Sequence, residues 1–158
     1  MQNLYILTGP IKTGKSTKLL RWSETKENVA GILQYEVNGK RVIRDISSKQ
    51  VFMLEDDNLK ENQKIKVGKY SFNKNAFLWA QKKLEQSFRG KPDWLIIDEY
   101  GKLEIDNGGL EPAISDIINK SRKQNCTKII LVVRDYLKND FLKKFEPESL
   151  DYKYFDFG

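Results

Sequence analysis

Apolar residues in this chain gather in short runs, separated by stretches where they recur every three or four positions. Leu4-Tyr5-Ile6-Leu7, Trp94-Leu95-Ile96-Ile97 and the segment Lys128 to Val133 are such runs, the mark of strands covered on both faces. A helix is predicted from about Lys15 to Ser23. Asn73 caps a second helix, in which Phe77, Ala80, Leu84 and Phe88 share one face. After Gly108-Gly109, the positions Leu110, Ile114, Ile117 and Ile118 give a third helical stripe, with Pro112 tolerated in its first turn. Tyr136 to Phe145 reads as a fourth helix. Val29 to Val37 and Lys40 to Ile46 flank Asn38-Gly39, the strongest short hairpin signal. Lys66 to Phe72 reads as one further strand and Tyr152 to Phe155 as a last short one. Apolar strands alternating with amphipathic helices imply an α/β fold with a mostly parallel sheet and helices on both faces. The 31–72 region is expected as an antiparallel hairpin elaboration. No repeat or Pro/Gly/Ser-rich linker interrupts the pattern, so one domain over 1–158 is expected.

The first loop carries the clearest chemistry. Gly9-Pro10-Ile11-Lys12-Thr13-Gly14-Lys15-Ser16 matches G-x-x-x-x-G-K-[ST], and Thr17 follows it. The glycines let the backbone wrap closely, so that N–H groups point at phosphate oxygens. The helix opening near Lys15 adds its positive end to the same place. Lys15 supplies a point charge to the β- and γ-phosphates, and the Ser16 hydroxyl is a ligand for Mg²⁺. An apolar strand before the loop and a helix after it supply the context the motif needs. Asp98 and Glu99 then end the strand that begins at Trp94, where a P-loop site needs a second support for its cation. A carboxylate one residue on, Glu99, is placed to polarise an attacking water, which a pure binding module does not require.

Composition narrows the field. There is no histidine among the 158 residues, which excludes histidine bases, Ser-His triads and His-ligated zinc. Cys126 is the sole cysteine; it forbids an internal disulfide, suits the cytoplasm, and is expected to be inert and partly buried. No apolar run approaches the roughly 18 residues of a membrane span, and Met1-Gln2-Asn3 does not open a signal peptide. The net charge of +6 is compatible with a solvated surface or with a nucleic-acid patch, because the lysines are dispersed. Trp22, Trp79 and Trp94 are expected in packing roles rather than as base-stacking platforms.

One resemblance joins these pieces. Ile97-Asp98-Glu99-Tyr100-Gly101-Lys102-Leu103-Glu104 resembles the I-D-E-x-G-K-x-E signature of the THEP-type nucleoside-triphosphatase family. Leu7-Thr8-Gly9-Pro10 through Gly14-Lys15-Ser16-Thr17 is similar to that family's opening motif. Weaker echoes lie at Gly31, Glu36-Val37, Gly39-Lys40-Arg41 and Val67-Gly68-Lys69-Tyr70. The resemblance implies a RecA-like P-loop core, Mg²⁺ dependence, and slow, unselective hydrolysis of nucleoside triphosphates such as ATP and GTP to diphosphate and phosphate. It carries phosphate binding to residues 9–16 and cation and water roles to Asp98 and Glu99. Ile11 and Lys12 depart from the family's G-P-P-G-x-G-K loop, Ile43-Arg44 stand where it tends to have Gly-Phe, and the chain stops at Gly158, short of a further segment. Arg134, after the strand 128–133, has two readings: a cation for charge developing on the γ-phosphoryl group, or a surface partner of Asp135. Lys102 has no assigned role. A small-molecule kinase and a nucleotide-gated module acting on RNA or protein are the rival classes. Against the kinase stands the absence of an arginine-rich lid; Arg41, Arg44, Arg89, Arg122 and Arg134 are isolated along the chain.

Overall fold

Side-chain alternation along the strands sorts the core into two layers. A computed structural model describes residues 3–9, 14–124, 126–145 and 150–158. Pro10, Ile11, Lys12 and Thr13 of the predicted phosphate loop lie outside the described residues. Strands β1 (Leu4–Leu7), β2 (Val29–Val37), β3 (Lys40–Asp45), β4 (Val51–Met53), β7 (Trp94–Tyr100), β8 (Lys128–Val133) and β9 (Lys153–Tyr154) form one sheet, ordered β4-β3-β2-β7-β8-β1-β9. Pairings among β2, β7, β8, β1 and β9 are parallel; β3 and β4 continue the sheet antiparallel.

Ile6, Ile32, Leu95, Ile97, Ile129 and Leu131 point to one face, where α2 (Lys74–Arg89) and α4 (Ala113–Ser121) cover them. Leu7, Leu33, Ile96, Ile130 and Val132 point to the other, against Leu19 of α1 (Lys15–Glu24). Helices therefore cover both faces, as the alternation of patterns predicts. Trp22 and Trp94 meet edge to face at 5.1 Å and both pack on Phe155, while Trp79 lies 5.5 Å from Phe52. All three indoles serve packing. No helix among the described residues is long and apolar enough to cross a membrane.

Several boundaries differ from expectation for local reasons. The segment expected as one strand, 66–72, is a hairpin of β5 (Lys64–Val67) and β6 (Tyr70–Asn73), because Gly68 at φ +59° reverses the chain. Asn73 caps α2 as predicted, accepting from Asn75 N at 2.9 Å. Pro112 is the residue before α4 rather than part of its first turn. Tyr136 to Phe145 is shorter in helix: a 3₁₀ turn at Asp135–Leu137 leads into α5 (Lys138–Lys143). Cys126 is exposed, not partly buried, since it stands in the loop before β8. Three elements among the described residues are not expected from the sequence: β4, a 3₁₀ turn at Glu61–Gln63 and the short helix α3 (Lys102–Ile105).

Gly31 shows why β2 lies against β7. Its φ is +122°, and a Cβ there would come within 2.0 Å of the Ile96 carbonyl oxygen. Only glycine permits that approach.

Candidate functional site

Parallel β1, β7 and β8 end on the same edge of the sheet, and that edge gathers the chemistry. The register pairs Leu7 with Val132 and Asp98 with Val132, so the residues after β1, the end of β7 and the residue after β8 are brought together. Gly14 adopts φ +77°, a left-handed value that favours glycine, and α1 begins at Lys15. The Lys15 ammonium donates to the Gly9 carbonyl at 3.0 Å. Ser16 Oγ donates to Asp98 Oδ2 at 2.5 Å, and the backbone N–H of Gln34 on β2 donates to the same oxygen at 3.1 Å. Asp98 Oδ1 receives no hydrogen bond among the described residues.

Asp98 is 2% exposed. Burial, then the neighbouring charge of Glu99, pushes its carboxyl up to about 7 against the pull of Ser16, Gln34 and Arg41. A hydroxyl and a buried, half-bonded carboxylate are hard oxygen donors, and they suit Mg²⁺, which takes one or two protein oxygens and completes its shell with phosphate and water. No group of three or more acidic, cysteine or histidine side chains poised for a metal occurs among the described residues.

Glu99 is turned by a break in the strand. Ile97 and Tyr100 both enter the same core layer, three residues apart, and the β7–β8 register shifts between Asp98 and Tyr100. Strict alternation would send Glu99 into the layer that Tyr100 occupies; the bulge turns it out instead. Its carboxylate meets Arg134 Nη2 at 2.7 Å, both side chains being mostly shielded. The Arg134 backbone is itself anchored, its N–H donating to the Tyr100 carbonyl. Of the two readings of Arg134, the pairing with Asp135 does not form; Asp135 instead accepts from Tyr136 N.

A cleft of about 280 Å³ is lined by Gly14, Lys15, Ser16 and Thr17 together with Asp98 and Glu99. It adjoins a second cleft of about 350 Å³ beyond Glu99, which Lys102 also lines.

Comparison with known proteins now has a geometry to meet. A family model described as NTPase matches residues 4–156. The chain belongs to that NTPase family. It is also similar to the crystal structure of THEP1 from the hyperthermophile Aquifex aeolicus, with a TM-score of 0.73 and 18% identity, over 98% of this chain and 89% of that one. At that identity the likeness speaks for the fold, a P-loop NTPase fold with its antiparallel hairpin. A search of curated proteins gives no match.

Within this NTPase, three participants escaped the sequence reading. Gln34 acts through its backbone N–H, which no side-chain motif can signal. Arg41 on β3 lines both clefts with Arg134, although the two are far apart in sequence. Glu104 is spelled in the signature, and its position shows why: Oε1 accepts from Gly101 N at 2.8 Å and Oε2 from Leu110 N at 2.9 Å. It ties the turn after Glu99 to the loop before α4.

Proposed function

We propose that the protein hydrolyses nucleoside triphosphates, ATP and GTP among them, to the diphosphate and phosphate with Mg²⁺ as cofactor. Residues 1–158 act as one P-loop domain. The observation that carries the reading is the 2.5 Å bond between Ser16 and Asp98, residues 82 apart in sequence, with the carboxylate of Glu99 set one residue on. A binding module requires the first feature but not the second.

In this reading residues 9–17 cradle the phosphates with backbone N–H groups, and Lys15 leaves the Gly9 carbonyl to meet the β- and γ-oxygens. Ser16 and Asp98 would hold the cation, which would supply positive charge for the diphosphate leaving group. Glu99 orients a water and takes its proton, while Arg134, held beside Glu99, offsets charge on the γ-phosphoryl oxygens. Nothing in these contacts addresses a base, so purine and pyrimidine triphosphates are turned over with specificity constants within about tenfold of one another. The exposed thiol of Cys126 suits a cytoplasmic location.

Phosphate release from the four common triphosphates, with and without Mg²⁺, tests the activity. Glu99→Gln lowers turnover by about 10²-fold or more while nucleotide affinity holds within a few-fold; Lys15→Ala loses binding itself. Unchanged turnover in Glu99→Gln would move the water-positioning role to another residue, whereas no phosphate release from the parent protein would remove the case for hydrolysis.

A further inference from the structure

We infer that the larger cleft is an acceptor subsite, and that the protein transfers the γ-phosphoryl group to a hydroxyl of a neutral nucleoside held there. This rests on the proposed placement of a triphosphate over Lys15 and Ser16. Position is the first argument. The two clefts share Gln34, Glu36, Arg41, Glu99 and Arg134, but the larger contains neither Asp98 nor any of residues 14–17. It lies past Glu99 from the phosphate loop, where a second reactant meets the same carboxylate that would orient water.

Size is the second. A water molecule occupies about 30 Å³, whereas this cleft offers about 350 Å³, within the range of sites for small organic ligands. An attacking water alone does not fill that room.

Wall chemistry is the third. Among its lining residues Leu54, Phe72, Phe77 and Leu103 are apolar, and Tyr70 stacks on Phe72 with ring planes 5° apart at 5.9 Å, a surface that suits a planar base. The lining also holds Glu36, Glu55 and Arg41, acceptors and a donor for sugar hydroxyls. Arg134 is already held by Glu99 and Glu55 lies 3.6 Å from Lys40. The lining as a whole sets Glu36, Glu55, Glu99 and Glu104 against Arg41, Lys102 and Arg134, a near balance that favours a neutral guest over a phosphate dianion.

The step balances without a further reactant. The nucleoside oxygen bonds to the γ-phosphorus as the bond from that phosphorus to the β,γ-bridging oxygen breaks. The bridging oxygen keeps the electron pair and leaves with the diphosphate, and Glu99 takes the hydroxyl proton.

The test gives the full chain ATP labelled in its γ-phosphate, with Mg²⁺ and a panel of adenosine, guanosine, cytidine and uridine. The expected result is labelled nucleoside monophosphate from at least one of them, exceeding labelled inorganic phosphate by about tenfold at saturation because a held acceptor outcompetes water. Tyr70→Ala removes a ring that is 42% exposed and belongs to no phosphate contact; it lowers transfer by about tenfold and leaves acceptor-free phosphate release unchanged. Label in inorganic phosphate alone, with every nucleoside, overturns the inference and spares the hydrolase. Competitive inhibition by nucleosides without a labelled product also overturns it, since the cleft would then hold the triphosphate's own base. Transfer without acceptor-free hydrolysis upholds the inference and rejects the hydrolase; no turnover of either kind rejects both.

Discussion

Asp98 and Glu104 belong to one short segment and are both nearly sealed from solvent, at 2% and 4% exposure. Burial is the main force on each, and each carboxyl is pushed up to about 7. They differ in how the protein spends their oxygens. Glu104 uses both, one on Gly101 N and one on Leu110 N, and Gly109 packs so closely that a Cβ there would reach within 1.8 Å of Oε2. Lys144 adds a bond of 2.7 Å to the main-chain carbonyl of the same residue. At Asp98 both donors, Ser16 and Gln34, fall on Oδ2. Depth and titration therefore do not tell these two carboxylates apart; the distribution of donors over their oxygens does.

Substitution at Asp98 is the sharpest way to break that contrast. Asp98→Asn keeps the shape and removes a poorly compensated buried charge, so the melting temperature holds or rises. Turnover falls by about 10³-fold or more, because the amide is a weak support for a cation. A lowered melting temperature with retained turnover would make Asp98 a strut as well. Glu104→Ala should do the reverse. It strands the N–H groups of Gly101 and Leu110 and opens a cavity, and urea unfolding should show a loss of about 3–5 kcal/mol. Turnover per folded molecule stays within a few-fold.

The same contrast explains what the sequence made legible. The motif at 9–17 and the pair Asp98-Glu99 stand out in the sequence because each is a local pattern of residues. The parallel sheet followed from apolar runs alternating with helical stripes. What topology alone brings together stayed hidden. Arg41 reaches the site only because β3 pairs back on β2, and Gln34 contributes a backbone group. Glu104 was visible as a letter in a signature, but its work depends on Leu110 folding back to it. Gly31 likewise stood as a faint echo until the approach of the Ile96 carbonyl gave it a steric reason. The bulge at Glu99 left no mark, since strict alternation and a slipped register use the same apolar residues.

The pH dependence of stability sharpens the comparison by the smallest margin. The Glu104 carboxylate faces the N–H groups of Gly101 and Leu110 and the charge of Glu99, and its main-chain carbonyl accepts from the Tyr100 hydroxyl and the Lys144 ammonium. Its carboxyl titrates near 4.5 ordinarily and at about 7 in the folded chain. Between those values the native state binds more protons than the unfolded state, so stability falls as the pH rises. The contribution is fully present below about 4.5 and gone above about 7. Glu104→Gln is a neutral isostere that cannot titrate. The difference in unfolding free energy, parent minus variant, should therefore drop by up to about 3 kcal/mol across that window and then level off. Urea denaturation of both proteins at half-unit steps of pH measures it. A gap that stays flat or widens with pH would mean that the two N–H donors, and not burial, govern Glu104. It would then be a charged strut, and the likeness to Asp98 would end at depth alone.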